Sequence, residues 1–232
     1  DDRVLARHGY VAGTPALRAA CLVDAWRDPA VRGIVAVRGG YGSQQILPLL
    51  DPRWLAADPK VFIGYSDVTA LLGWHVAQGG VAFHGPMVEG RLARGAGGYD
   101  RASLMAAVTQ PVAMGTLTPP GLEVFRAGDA RGTLLGGTMT QLAALVGTPW
   151  AVMPTEPTIL FLEDVGERPY RLDRLMTQLH QAGTFARVTG VVLGTFTRCD
   201  DGGGGPTARG VLRDLLARFP GPVVFGFPSG HT

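Results

Sequence analysis

The chain has 232 residues, of which 46% are hydrophobic and 17% charged, so it can bury a sizeable core and is not globally disordered. A net charge of +2, with no dense basic cluster, argues against nucleic acid as the main partner. No apolar run approaches the ~20 residues that span a bilayer, and the two cysteines, Cys21 and Cys199, are too few for a disulfide framework.

Thr14-Pro15 reads as an N-cap followed by proline at the first helical position, opening an amphipathic helix over 16–26. Residues 33–37 (GIVAV) form a buried strand leading into a glycine-rich turn, 38–43, and a helix reaching Leu50. The next strand, 61–65 (VFIGY), turns at Ser66-Asp67 into a helix ending at Ala77, and 81–84 is a strand. This alternation is the signature of a parallel sheet covered by helices. A loop over 95–99 and a helix over 101–108 follow, and then a stretch from Pro111 to Arg131 with three prolines. Beyond it come strand 133–137, helix 139–146, strand 158–162, helix 169–182 and strand 190–196. A flexible loop (DDGGGGP, 200–206), a helix over 208–219 and a strand over 223–227 complete the chain. The expected domains are an N-terminal α/β domain, 1–115, a linker, 116–130, and a C-terminal domain, 131–232.

Four places combine polar residues with strand ends. In Gly64-Tyr65-Ser66-Asp67 a buried strand becomes a helix, which exposes a serine beside helix N-terminal amides. The plainer alternative is that Ser66 or Asp67 is only a helix cap. The glycines at 39, 40 and 42 would let backbone amides approach an anion closely, although a simple tight turn explains them equally well. Glu163, Asp164 and Glu167 follow the most hydrophobic strand of the second half; one could orient a histidine, or all three could be a helix-entry cluster near Arg168 and Arg171. His231 follows the last strand in a Pro/Gly loop, and His84 is its only serious rival among five histidines. Ser66, Glu163 and His231 thus occur in the order serine, acid, histidine, the residue types of an activated nucleophile.

These residues lie in stretches that resemble the LD-carboxypeptidase family of serine peptidases, the muramoyltetrapeptide carboxypeptidases. The matching segments are VRGGYGSQQILPLLD (37–51), FIGYSDVTALL (62–72), FHGPM (83–87), GGTMTQLAALVGTPW (136–150), ILFLEDVGERPYRLDRLMTQL (159–179) and GFPSGH (226–231). The resemblance implies that Ser66 is the nucleophile, Glu163 the acid and His231 the base, with oxyanion donors at the amides near Gly40 and at Asp67. The implied fold is a helix-flanked, mainly parallel N-terminal sheet domain and a smaller C-terminal α/β domain, with the active site between them. The implied activity is release of the terminal D-alanine from murein tetrapeptides in peptidoglycan recycling. It needs no metal or cofactor, and the enzyme is expected to be a cytoplasmic homodimer with no membrane or nucleic-acid partner. Microcin C immunity peptidases of the same family, and a non-catalytic two-domain ligand-binding protein, are the alternatives.

Two departures stand out. The family's usual Gly-Gly-Asn is Gly136-Gly137-Thr138 here, which leaves the asparagine's polar role without its usual residue. Family members also begin one strand earlier and run well past the histidine. The start at Asp1 shows no signal peptide, a trimmed chain is expected, and His231, one residue from the end, is expected to be frayed and displaced from the serine.

Overall fold

The computed structural model describes residues 2–55, 58–110 and 112–232, so Pro111 of the proline-bearing stretch lies outside the described residues. The chain divides into two compact units, Asp1–Gly115 and Thr116–Thr232. Among the described residues, no helix is long and apolar enough to cross a membrane.

The first unit opens with helix α1 (Pro15–Arg27), whose N-cap Thr14 accepts the Leu17 N–H in its side chain while Pro15 fills the first turn. Strand β1 (Gly33–Val35), helix α2 (Ser43–Ile46), strand β2 (Val61–Gly64), helix α3 (Thr69–Ala77), strand β3 (Ala82–His84) and helix α4 (Arg101–Thr109) follow. β2 lies between β1 and β3, parallel to both, with Ile34 opposite Phe62 and Ile63 opposite Phe83. A strand with neighbours on both sides and helices nearby is apolar throughout, and Phe62, Ile63 and Gly64 are all buried. The helix expected to run to Leu50 is a single turn that passes into a 3-10 turn over Leu47–Leu49. Pro48 has no N–H to extend the α-helical ladder. The only lysine is structural: the buried Lys60 ammonium donates to the Asp28 carbonyl (2.9 Å), the Val31 carbonyl (2.5 Å) and the Asp58 carboxylate (2.7 Å). Those three bonds use all three of its donors.

The second unit begins with β4 (Glu123–Arg126), so part of the stretch read as a linker contributes an antiparallel edge strand to its sheet. Then come β5 (Thr133–Thr138), α5 (Met139–Leu145), β6 (Thr158–Val165), α6 (Pro169–Gln181), β7 (Val188–Thr197), α7 (Ala208–Leu216) and β8 (Val223–Phe225). The sheet order is β4-β8-β7-β6-β5, with β5 to β8 parallel. Sequential parallel strands joined by helices take right-handed crossovers, which brings α5, α6 and α7 to one face. There Leu142, Leu172, Met176, Leu179 and Leu212 close over Leu160, Leu162 and Leu193 in one apolar core. β6 continues three residues beyond the expected stop at Leu162. Glu163 and Asp164 look like a strand end because they are charged, but both are buried strand residues with partners of their own.

Candidate active site

Ser66 sits where β2 gives way to α3. Tyr65 is extended, Ser66 has a left-handed φ of +62°, and a 3-10 turn over Ser66–Val68 leads into the helix. A non-glycine residue in that region is strained, and such strain recurs where a serine is held out at a sharp strand-to-helix turn. Gly64 makes the turn possible, since a Cβ there would lie 2.7 Å from Val68 Cγ1. The glycine loop packs directly on the serine: a Cβ on Gly39 would come 2.8 Å from Ser66 Cβ and 2.9 Å from its Oγ. Gly40, with φ +107°, is the next residue of that loop, and the Asp67 amide follows Ser66 in the turn.

The loop is tied down by two side chains. The buried Asp67 carboxylate accepts the Ser43 N–H at 2.8 Å, and the Arg18 guanidinium donates to the Gly42 carbonyl at 2.7 Å and to the Gln45 side chain. His84, at the end of β3, has its ring 5.8 Å from that of Tyr65, one residue before the serine.

In the second unit, Glu163 is fully buried and is the carboxylate that meets His231. Its Oε2 lies 2.7 Å from His231 Nδ1 and accepts the His231 backbone N–H at 3.1 Å. A carboxylate is an acceptor, so the Nδ1 position carries the proton and the ring's basic lone pair lies on Nε2. Thr138 is the register partner of Glu163 across β5 and β6, and its hydroxyl donates to Glu163 Oε1. Asp164 points the other way, as alternation along a strand requires. It accepts the Thr140 N–H (2.8 Å), the Thr140 hydroxyl (2.7 Å) and the Val165 N–H (2.8 Å). Burial pushes its carboxyl up to about 6, against the lowering effect of those bonds. Glu167 pairs with Arg171, as the helix-entry alternative anticipated for that one residue.

His231 is not frayed: its side chain is only 17% exposed. The chain after β8 stays stitched to β7, with the Phe227 N–H donating to the Leu193 carbonyl and the Thr195 N–H to the Ser229 carbonyl, both at 3.0 Å. β7 carries one extra residue opposite Glu163, because Leu162 pairs with Leu193 but Asp164 with Phe196. Such a bulge re-aims the strand locally, and here Thr195 receives the loop that carries the histidine. Gly230, with φ +123°, is required at that approach, since a Cβ would lie 2.5 Å from Glu163 Oε2.

Ser66, Gly40 and Asp67 therefore lie in the first unit and the Glu163–His231 pair in the second. Sequence reasoning named Gly39, Thr138 and the stretch holding Gly230 but missed their roles: the Gly39 surface against the serine, the Thr138 hydroxyl on Glu163 and the close approach at Gly230. The consecutive glycines before Thr138 and the glycine before His231 were the available signals of close approach.

Residues 1–85 match the family model for the LD-carboxypeptidase N-terminal domain, and residues 131–232 that for the LD-carboxypeptidase C-terminal domain. A carboxypeptidase homologue of Streptomyces coelicolor is 44% identical, covering 98% of this chain and 74% of its own. The murein tetrapeptide carboxypeptidase of Pseudomonas aeruginosa is 33% identical, covering 98% of this chain and 76% of its own. Among solved structures, muramoyltetrapeptide carboxypeptidase from Oxalobacter formigenes aligns with a TM-score of 0.81 at 31% identity, covering 100% of this chain and 78% of its own. The microcin C7 self-immunity protein MccF of Escherichia coli is 26% identical over 96% of this chain and 73% of its own.

Proposed function

Because the chain belongs to the LD-carboxypeptidase family, a family of peptidases, we propose that it is a serine carboxypeptidase releasing the terminal D-alanine of a murein tetrapeptide. The observation that carries this reading is the buried Glu163 holding the His231 ring through Nδ1, which leaves Nε2 as a general base. Ser66 Oγ attacks the carbonyl carbon of the bond between the L-centre and D-alanine, and His231 Nε2 takes the hydroxyl proton. That proton passes to the departing amine as the C–N bond breaks, and water, activated by the same imidazole, then hydrolyses the acyl-enzyme. The Gly40 and Asp67 amides are the proposed donors to the tetrahedral oxyanion, and the strained turn at Ser66 supports an elbow-like nucleophile. The same reading places the protein in cytoplasmic peptidoglycan recycling, as a homodimer.

The test is mass-spectrometric detection of D-alanine and tripeptide from purified murein tetrapeptide, together with labelling of Ser66 by a fluorophosphonate. Absence of both products and label would overturn the proposal. The relationship to MccF supports a second reading, hydrolysis of a peptidyl-nucleotide amide. Turnover of an aminoacyl sulfamoyl adenosine in preference to the tetrapeptide would favour it.

A further inference from the structure

We infer that Thr138 is a positioning residue that fixes the plane of the Glu163 carboxylate, and through it the imidazole of His231; this rests on the catalytic reading above. Oε2 alone receives both the ring and the backbone N–H of His231. The last torsion of a glutamate is soft and broad. Bonds to Oε2 hold the carboxylate about one point, and the Thr138 donor on Oε1 anchors its second oxygen. Thr138 supplies the donor from the register position directly opposite, and it is itself buried.

A second observation shows that the hydroxyl is diverted to this task. By backbone position Thr138 is the N-cap of α5, yet its side chain makes no cap hydrogen bond. A threonine in that place ordinarily caps the helix by accepting an N–H of the first turn. Here the Thr140 amide is satisfied instead by Asp164, from the neighbouring strand. The two consecutive acidic residues of β6 thus divide the work at the end of β5: Asp164 caps the helix and Thr138 turns to Glu163. Gly136 allows β5 to close on β6, because a Cβ there would lie 1.9 Å from the Phe161 carbonyl oxygen.

The test compares Thr138→Val, which keeps the branched shape and loses the hydroxyl, with Thr138→Ser, which keeps the hydroxyl. On murein tetrapeptide, Thr138→Val should lower kcat roughly 10- to 100-fold, the cost of a lost hydrogen bond to a buried charged group. KM should stay within about threefold, and Thr138→Ser should recover most of the rate. Independently of turnover, NMR of histidine-labelled protein should show the His231 Nδ1–H resonance at low field in the parent and in Thr138→Ser, and displaced or broadened in Thr138→Val. Unchanged kinetics and an unchanged resonance in Thr138→Val would overturn the inference, as would a serine variant as impaired as the valine one. If the parent neither releases D-alanine nor reacts with fluorophosphonate, the catalytic reading fails, and the resonance alone decides whether Thr138 orients the pair.

Discussion

Ser66 holds a left-handed backbone that costs an L-residue about 1–2 kcal/mol, a cost glycine does not carry. Ser66→Gly should therefore be more stable than Ser66→Ala by about 1 kcal/mol in urea unfolding, while both should lose the proposed D-alanine release by about ten-thousand-fold or more. Equal stability of the two variants would show that the turn stores no strain at this residue. Gly39 yields a complementary prediction. A Cβ there would press on Ser66 at 2.8 Å, so Gly39→Ala should cost about 100-fold in kcat/KM, the penalty of moving a reacting atom by ~1 Å. Its φ is outside the left-handed region, so the loss of stability in Gly39→Ala should come from that clash alone, about 1–3 kcal/mol in urea unfolding. Full activity in Gly39→Ala would mean that the loop recedes without disturbing the serine.

At the scale of elements, α5 is a two-turn helix whose N-terminal amide is served by a carboxylate from the adjacent strand. The arrangement has a pH consequence. The Asp164 carboxyl is raised from 3.8 to about 6 by burial, so between those values the folded state binds a proton that the unfolded state has released. Its contribution to stability is fully present below about pH 4 and is lost as pH rises through 6. Between pH 7 and pH 5 the parent should gain about 1 kcal/mol relative to Asp164→Asn, measured as the difference in their unfolding free energies at each pH. A pH-independent difference between the two proteins would contradict the assignment.

For the molecule as a whole, the two units carry buried titratable groups with opposite responses. His75, on α3, packs its ring 4.9 Å from that of Trp26, its Nδ1 is buried without a hydrogen-bond partner among the described residues, and burial lowers its pKa from 6.5. The sign is the reverse of that for Asp164: its contribution is present above pH 6.5 and is lost as pH falls through the lowered value. Acidification from pH 7 to 5 should therefore weaken the first unit relative to a His75→Gln variant and strengthen the second relative to Asp164→Asn. Each unit contains one free cysteine, Cys21 in the first and Cys199 in the second. Urea titrations followed by dithiodipyridine labelling and mass spectrometry of each thiol separate the two responses. Parent-minus-variant shifts of the same sign at both cysteines would refute the opposition.

Periodicity and punctuation in the sequence located most helices and strands, although the helix expected to reach Leu50 is a single turn and β4 lies in the stretch read as a linker. Thr14-Pro15 marked the start of α1, and the apolar runs at 61–65 and 190–196 marked buried parallel strands, because burial on both faces demands continuous hydrophobicity. The order of Ser66, Glu163 and His231 and the motifs around them pointed to the family. What depended on tertiary structure was every decision that required a partner distant in sequence. β6 runs through Glu163 and Asp164 only because Thr138, Thr140 and His231 satisfy their carboxylates, and buried charge is tolerable only when paired. Which acidic residue meets the imidazole is set by the two-residue alternation of β6 together with the bulge in β7. His231 is anchored near the chain end because Gly230 lets the backbone approach a buried carboxylate that needs donors. Local pattern records what one residue and its neighbours along the chain prefer, whereas these bonds join residues from 24 to 68 positions apart.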